Sequence, residues 1–250
     1  MKVERRWKKI EDLLKENGSL SIQELAARLN ISDTTVRRDL VKMEKNDMIN
    51  RLWGGASAKD IDISDNQQAH FQDDYILKFS RNIPEKEKIA RYAATLIKDN
   101  QTVFLDAGST TSLVIDFITA KDIILITNSV NSFYKLAQKN ITTYVPHGVV
   151  NFGSAAILGK DTVEKLCDFN YDIALFGTNG IDELAGYTSR NDYDADIKKE
   201  IIKRSTQTFV LSDNTKFNIK KLYTFSALES CTLITNSKPP EFIKSFVIAE

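Results

Sequence analysis

The chain has 250 residues, of which 42% are hydrophobic and 27% are charged, and its 34 basic and 34 acidic side chains cancel. This composition is typical of a globular protein with a buried core. No apolar run approaches the roughly 18 residues that a membrane-spanning helix needs, and the charged amino terminus lacks the apolar core of a signal peptide. We therefore expect a cytoplasmic protein that does not enter a membrane. Two cysteines and two histidines without partners at ligand spacing predict no metal site, and we expect no cofactor.

The zero net charge conceals an asymmetry along the chain. Residues 1–59 contain 13 basic and 9 acidic side chains, a net charge of +4, so the remaining residues carry −4. A basic amino-terminal head on an acidic body is the distribution expected when the head alone binds nucleic acid. The excess is modest, so it supports this interpretation without establishing it.

Three short amphipathic helices are predicted near the amino terminus. The first covers Val3–Asn17 and ends at Gly18. The second begins at Ser21 and Glu24, whose spacing is that of a capping box. The third follows after only a few residues, with Ser32 as its amino-terminal cap. Two helices joined by so short a connection form a helix-turn-helix unit.

The third helix combines an apolar face with a face of hydroxyl and basic groups. Val36, Leu40 and Met43 repeat at helical spacing and are expected to face the core. Hydroxyl and guanidinium groups on the other side suit the base edges and phosphates of a DNA major groove. A solvated charged face is the alternative, because such faces are common. The residues concerned are Thr34, Thr35, Arg37, Arg38 and Lys42.

A short strand and a turn follow this helix. Residues 48–53 have strand character, and Gly54 with Gly55 is a turn signal. A hairpin here would make a winged helix-turn-helix, in which Arg51 reaches neighbouring phosphates or the minor groove. We therefore assign residues 1–57 to a DNA-binding domain, the polar residues 58–82 to a linker, and residues 83–250 to a second domain.

The stretch ISDTTVRRDLVKME, followed by LWGGA, resembles the amino-terminal domain of the DeoR family of bacterial transcription regulators. The resemblance implies that Thr34, Thr35, Arg37 and Arg38 lie on the recognition helix. Asp39 lies near the inward flank of that helix. We expect it to have a structural role and to pair within the domain.

Beyond residue 83, short apolar runs alternate with helices. Such alternation predicts an α/β fold, a mostly parallel open sheet covered by helices on both faces. A long loop is expected after the strand at 171–177. Strands are predicted over 102–106, 122–127, 142–146, 171–177 and 207–213, with further candidates at 222–228, 231–235 and 245–249. Helices are predicted over 85–99, 110–119, 129–138, 161–168 and 194–205.

Small, hydroxyl or charged residues follow five of these strands. Ligands bind beyond the carboxyl ends of the strands in open α/β sheets. The loop at 106–111 runs into a helix amino terminus, whose N–H groups suit a phosphate. The other loops, at 127–129, 147–148, 177–182 and 213–216, offer carboxylates and amides for sugar hydroxyls. Each loop alone is weak evidence, because turns favour such residues. Together they predict a site for a phosphorylated sugar or polyol.

The segments EKEKIARYAATLIKDNQTVFLDAGSTT, ILITNSVN, FGTNGID, ADIKKEII and LSDNTKF look like the effector domain of the same family, so the resemblance covers nearly the whole chain. It implies a fold similar to ribose-5-phosphate isomerase and a phosphorylated sugar as effector. Three positions depart from the family's usual residues: Ser109 replaces threonine, His147 precedes Gly148 where two glycines are common, and Asp194 replaces glutamate. The ligand-binding residues expected from the loops and the resemblance are Asp106, Gly108, Ser109, Thr110, Thr111, Thr127, Asn128, Ser129, Gly148, Asn179, Gly180, Asp194, Lys198, Asp213 and Lys216.

These features predict a DNA-binding transcription regulator, a repressor of a sugar or polyol catabolic operon, whose binding to a double-stranded operator responds to a phosphorylated sugar or polyol. The resemblance implies a homo-oligomer, either a homodimer or a homotetramer. One alternative is an isomerase-like enzyme carrying a DNA-binding head, in which Asp182, Asp194 and Lys198 supply the base and the cation for an enediolate. Another is a head that binds protein instead of DNA. We expect a regulator and not an enzyme.

Overall fold

The computed structural model describes residues 3–17, 19–46, 48–52, 55–58, 78–79 and 81–250. The expected helix stop at Gly18, the turn residue Gly54 and residues 59–77 of the expected linker lie outside these ranges. The chain divides into two compact units, residues 1–81 and 82–250, and each is treated by itself. Within the described ranges, no helix is both long enough and apolar enough to cross a membrane.

The amino-terminal unit consists of three helices and a small antiparallel sheet. Its helices are α1 (Val3–Asn17), α2 (Ile22–Leu29) and α3 (Asp33–Lys45), and its strands are β1 (Ser19–Ser21), β2 (Ile49–Leu52) and β3 (Gly55–Ala58). The sheet order is β1-β3-β2. The three helices and the β2–β3 wing were predicted, and Ser32 caps α3 as expected by accepting a hydrogen bond from the Thr35 N–H. Strand β1 was not predicted.

The core of this unit contains one apolar face from each helix. Burial of a large apolar side chain stabilises a fold by about 1.5–3 kcal/mol. The inward face of α3 is therefore fixed by packing, and its opposite face is left to solvent. The buried side chains include Ile10 and Leu14 of α1, Leu25 of α2, and Val36, Leu40 and Met43 of α3.

The carboxyl-terminal unit is built on a seven-stranded sheet in which every neighbouring pair of strands is parallel. The prediction of a parallel α/β sheet is confirmed. The helices are α4 (Ile83–Leu96), α5 (Ser109–Phe117), α6 (Ser132–Gln138), α7 (Lys160–Leu166) and α8 (Asp192–Lys203). The strands of the large sheet are β4 (Thr102–Leu105), β5 (Ile124–Thr127), β6 (Thr142–Tyr144), β9 (Tyr171–Gly177), β12 (Ser205–Leu211), β14 (Thr232–Thr235) and β15 (Phe246–Ile248). Their order across the sheet is β15-β14-β12-β9-β4-β5-β6.

Helices cover the large sheet on both faces, as predicted. Along β4, Val103 and Leu105 belong to one buried cluster and Phe104 belongs to the other. Successive side chains of a strand point to opposite faces, so the two clusters mark the two sides of the sheet. Helices α4, α5 and α6 contribute to the cluster of Val103, and α7 and α8 contribute to that of Phe104.

Two small antiparallel elements contain strands that were not predicted, although β13 lies within the strand candidate at 222–228. The hairpin of β7 (Val149–Asn151) and β8 (Ala156–Leu158) follows β6. The expected long loop after β9 contains β10 (Gly180–Asp182) and β11 (Gly186–Ser189), which form a second sheet with β13 (Tyr223–Ser226). Strands of three or four residues are too short to show a clear alternation of apolar and polar residues. The helix expected over 129–138 begins at Ser132, because Ser129 pairs with Ala156 in a β-bridge.

Candidate functional site

The outward face of α3 carries the side chains expected to contact DNA. Thr34, Arg38 and Lys42 are exposed, and Thr35 is half-buried with its hydroxyl 2.9 Å from that of Ser32. The backbones of Arg37 and Arg51 belong to α3 and β2, but their side chains lie outside the described part of the structure. The face therefore presents hydroxyl and cationic groups together, as a groove-binding helix requires.

A buried ion pair connects α3 to α1. The guanidinium of Arg6 donates from Nε to Asp39 Oδ2 and from Nη2 to Oδ1, the latter at 3.0 Å. Burial alone would raise the pKa of Asp39, but the hydrogen bonds from Arg6 and the positive charges of Arg6 and Arg38 outweigh it, so this pKa lies below its ordinary value. The expected pairing of Asp39 within the domain is confirmed.

In the carboxyl-terminal unit, the loops after four adjacent strands lie at one edge of the large sheet. Strands β12, β9, β4 and β5 are neighbours and parallel, so their carboxyl ends point the same way. The segments that follow begin at residues 212, 178, 106 and 128. This edge is where open α/β folds bind ligands.

Lys198 lies at the centre of a buried charge cluster at this edge. Its Nζ is 3.2 Å from Asp106 Oδ2 and 2.8 Å from Asp194 Oδ2, and its side chain is only 4% exposed. Burial favours the neutral amine, but the two carboxylates outweigh it and raise the pKa of Lys198. The pKa of Asp106 is also raised, chiefly by burial. The i,i+4 spacing of Asp194 and Lys198 on α8 brings both to one side of the helix.

Two buried oxygens in the loops after β4 and β5 have no hydrogen-bond partner among the described residues. Asp106 Oδ2 accepts from the Gly177 N–H at 2.8 Å, whereas Asp106 Oδ1 is unpartnered. Asn128 Nδ2 donates to the carbonyl of Ile157 at 3.4 Å, whereas Asn128 Oδ1 is unpartnered. Burying an acceptor without a donor costs free energy, so we expect a ligand or a water molecule to donate a hydrogen bond to each of the two oxygens. We call Asp106, Asn128, Asp194 and Lys198 the strand-end site.

The loop between β4 and α5 is held by its own hydroxyl groups. The Thr111 hydroxyl lies 2.7 Å from the Asp106 carbonyl and 3.0 Å from the Gly108 carbonyl. A Cβ added at Gly108 would lie 3.0 Å from Thr111 Oγ1, so a side chain there would crowd this contact. Ser112 donates to the carbonyl of Ser109, and Thr110 is buried. The loop thus places the first N–H groups of α5, which have no partner within the helix, beside Asp106.

Thr127 and Ser129 position Asn128. The Thr127 hydroxyl donates to the Leu105 carbonyl at 2.6 Å and accepts from the Ser129 N–H at 3.0 Å. The Ser129 hydroxyl in turn accepts from that of Ser132. These bonds join the ends of β4 and β5, so Asn128 is fixed next to the Asp106 loop.

Ser189 extends the network and was not anticipated from the sequence. Its hydroxyl donates to Asp194 Oδ2 at 2.5 Å and lies 3.5 Å from Asn179 Oδ1. Asn179 Oδ1 also accepts from the Arg190 N–H at 3.2 Å. The role of Ser189 depends on β11, a strand that had no sequence signal. The loop at 177–182 was expected at the site, but the hydrogen bond from the Gly177 N–H to Asp106 was not, since a backbone donor has no side chain to mark it.

The remaining expected residues make local contacts. A Cβ at Gly180 would lie 2.3 Å from the Ile219 carbonyl, and one at Gly148, where φ is +151°, would lie 2.0 Å from Thr162 Oγ1. Asp213 Oδ1 caps the short 3-10 helix at Asn214–Lys216 by accepting from the Thr215 N–H, and Lys216 is half-buried. Close packing therefore accounts for the glycines at positions 148 and 180.

Asp182, a base in the isomerase alternative, closes a turn. Its Oδ1 accepts from the N–H groups of Leu184 at 3.1 Å and Ala185 at 2.8 Å, between β10 and β11. A carboxylate that holds two backbone donors in a turn has a structural role in this arrangement.

Comparison with known proteins identifies related families over both units. A model described as a DeoR-like helix-turn-helix domain matches residues 6–62, and one described as the DeoR C terminal sensor domain matches residues 81–237. The chain is 34% identical over 227 residues to the Uncharacterized HTH-type transcriptional regulator FruR of Bacillus subtilis. The aligned region covers 90% of this chain and 88% of that protein. It is 31% identical over 241 residues to the HTH-type transcriptional repressor GlcR of the same species, at 96% and 90% coverage. It is 30% identical over 240 residues to the lactose phosphotransferase system repressor of Streptococcus mutans, at 94% and 93% coverage.

Similarity to solved structures is weaker. Ribose 5-phosphate isomerase from Plasmodium falciparum aligns with a TM-score of 0.39 and 20% identity, over 53% of this chain and 52% of that one. A transcriptional regulator from Streptococcus pneumoniae aligns with a TM-score of 0.35 and 12% identity, over 52% and 74%. The fold assignment rests on the strand order of the sheet itself.

Proposed function

The chain belongs to the DeoR family of transcription regulators, and from this premise we propose that a phosphorylated sugar or polyol bound at the strand-end site controls its binding to an operator. Residues 82–250 are accordingly called the sensor unit, and residues 1–81 the head. The unpartnered oxygens of Asp106 and Asn128 are the observation that carries this proposal.

The two oxygens indicate the chemistry of the ligand. Both are acceptors, both are buried, and they lie at the ends of adjacent strands. A ligand that satisfies them donates hydrogen bonds from two positions, as the hydroxyl groups of a sugar or polyol do. The amino terminus of α5 beside them favours an anionic group, and the two features together fit a phosphorylated polyhydroxy compound.

The head supplies the DNA contacts in this proposal. Thr34, Arg38 and Lys42 on the exposed face of α3 read and anchor the major groove, while Arg37 on the same helix and Arg51 on the wing strand add cationic contacts. GlcR and the lactose phosphotransferase system relative are named repressors, which supports repression of a sugar or polyol operon. A DNA-binding regulator works where the chromosome lies, in agreement with the expected cytoplasmic location.

The turn position of Asp182 supports a regulator over an isomerase. The remaining groups, Asp194 and Lys198, pair with each other at 2.8 Å. A sugar bound beside them would contact hydrogen-bonding groups, but the Lys198 ammonium is already paired with the carboxylates of Asp106 and Asp194. We propose that this site binds without turnover, and incubation of the protein with ribose 5-phosphate should yield no isomerised product.

Differential scanning calorimetry of the full chain against a panel of sugar and polyol phosphates tests the ligand site. A ligand that binds only the folded state stabilises it by about 2.7 kcal/mol at one hundred times its Kd, so at least one compound should raise the melting temperature of the sensor unit. Asn128→Ser should abolish that rise, because it replaces the Oδ1 acceptor with a hydroxyl on a shorter side chain. Asn131→Ser is the matched control, since Asn131 is exposed and makes no side-chain capping bond at α6. A panel without any stabilising compound contradicts the proposal.

A further inference from the structure

The segment that contains the β7–β8 hairpin carries no formal charge. Residues 141–159 include no Asp, Glu, Lys or Arg, although 27% of the chain is charged. Runs of this length on a protein surface normally include charged residues, which keep the surface solvated. An uncharged surface segment is therefore a candidate for contact with another uncharged surface.

Strand β7 and the residues on either side of it expose large apolar side chains. Val149 is 75% exposed and Phe152 is 77% exposed, and Val145 and Val150 are exposed as well. All three residues of β8, by contrast, are buried. The apolar exposure thus lies on β7 and its flanking residues and not on β8, and exposed apolar groups that cluster in this way mark interaction sites.

Strand β7 also has an open edge. It pairs only with β8 among the strands of the described residues, so its other edge presents backbone N–H and C=O groups. Natural proteins protect such edges with lysine, proline or a covering element. The sequence of β7 is Val-Val-Asn, which offers neither a charge nor a proline. An unprotected apolar edge is expected to be covered in the native assembly.

We propose that the β7 edge and the apolar side chains beside it are covered by the same hairpin of a second copy of this chain. Two uncharged surfaces can pack together without burying an unpaired charge. A twofold axis places this surface of one copy against the same surface of the other copy. Antiparallel pairing of β7 with its copy would satisfy both open edges at once. DNA is a poor occupant because this surface carries no cation. The residues at 59–77 are also poor occupants, because they contain five aspartates.

The hairpin is connected directly to the strand-end site. The Ile157 N–H donates to the Asn128 carbonyl at 2.8 Å, the Asn128 side chain donates to the Ile157 carbonyl, and the Val130 N–H donates to the Ala155 carbonyl at 2.9 Å. Asn128, whose side-chain oxygen is unpartnered, is therefore hydrogen-bonded to β8, the strand that pairs with β7. A ligand that moves Asn128 would move the hairpin, so ligand binding is coupled to self-association. This coupling rests on the proposed function, whereas the docking surface does not.

Sedimentation velocity of the full chain without ligand tests the docking surface. The wild type is expected to self-associate at micromolar concentration, and Phe152→Lys should weaken self-association at least tenfold, because two lysines would face each other across the axis. Val149→Lys is a second variant with the same expectation. Leu184→Lys is the control, since Leu184 is 95% exposed in the β10–β11 turn and lies outside the hairpin. Far-ultraviolet circular dichroism checks that each variant is folded.

Each outcome of the sedimentation experiments supports or overturns the proposed docking surface. A monomeric wild type at tens of micromolar overturns the proposal, as do hairpin variants that associate as strongly as the wild type. Loss of association in Leu184→Lys to the same degree also overturns it, because the effect would then not be specific to the hairpin. For the coupling, a sugar phosphate that raises the melting temperature but leaves sedimentation unchanged overturns the coupling alone and leaves the proposed function standing. Failure of every sugar phosphate to bind contradicts the proposed function, and the docking surface is then judged by the ligand-free experiment.

Discussion

Arg6 of the first helix and Asp39 of the recognition helix form a buried ion pair with two hydrogen bonds. Asp39 follows Arg38 directly, so the contact that anchors α3 to α1 lies one residue from a side chain expected to bind DNA. The pair fixes the rotation of the helix about its axis. In this way a buried contact determines which residues α3 presents to a groove.

Replacing Asp39 with alanine should destabilise the head by about 3–5 kcal/mol, because the buried Arg6 guanidinium would lose the Asp39 carboxylate. Both tryptophans, Trp7 and Trp53, lie in the head, so tryptophan fluorescence during urea unfolding reports on this unit. Asp12→Ala, an exposed change on α1, is the control and should alter the free energy of unfolding by less than about 0.5 kcal/mol. Equal effects of the two changes would contradict the role given to the pair.

The stability of the head should depend on pH through the same carboxylate. The pKa of Asp39 is lowered in the folded state, so its contribution is complete above the unfolded pKa of about 3.9 and is lost as the pH falls through the lower folded value. Urea unfolding followed by tryptophan fluorescence between pH 6 and pH 2 measures this. Asp39→Asn should remove much of the acid-dependent loss. A wild type and variant with identical pH profiles would refute the assignment.

The fold was predictable where the signal is local and periodic. Val36, Leu40 and Met43 mark the inner face of α3 by their spacing, and the parallel strands are continuous apolar runs. The unpartnered oxygen of Asn128 was not predictable, because its amide is oriented by Ile157, which lies 29 residues later on a three-residue strand without a periodic signal. The sequence predicted which loops form the ligand site, but the hydrogen bonds between those loops depend on tertiary contacts.

Replacing Lys198 with methionine should destabilise the sensor unit by about 3–5 kcal/mol, because Asp106 and Asp194 would lose the cation between them. The melting temperature of that unit in calorimetry measures the change. Lys199→Met is the control, since the neighbouring side chain is 44% exposed and pairs only at the surface with Asp196. Adding Asp106→Asn to Lys198→Met should restore part of the loss, and the absence of any recovery would argue against a charge cluster.

Arg38→Ala should weaken operator binding. If Arg38 contacts a phosphate, the slope of log K against log salt should fall by about one, and if it contacts a base, the loss should be about 1–3 kcal/mol and specific to one position of the site. Fluorescence anisotropy with labelled operator DNA measures both quantities. Lys203→Ala removes one positive charge from the sensor unit and is the control for net charge. Unchanged DNA binding by Arg38→Ala together with Arg37→Ala would favour a head that binds protein.

The central claim is that the strand-end site controls the head. Its most direct test is the operator Kd of the full chain, measured by fluorescence anisotropy with and without each sugar or polyol phosphate, for the wild type and for Asn128→Ser. Allosteric coupling of about 1–3 kcal/mol corresponds to a change of roughly 5- to 150-fold. We expect at least one compound to change the wild-type Kd within that range, and we expect the variant to bind the operator normally without responding. An operator Kd that no compound changes, or a variant that responds as the wild type does, would contradict the account.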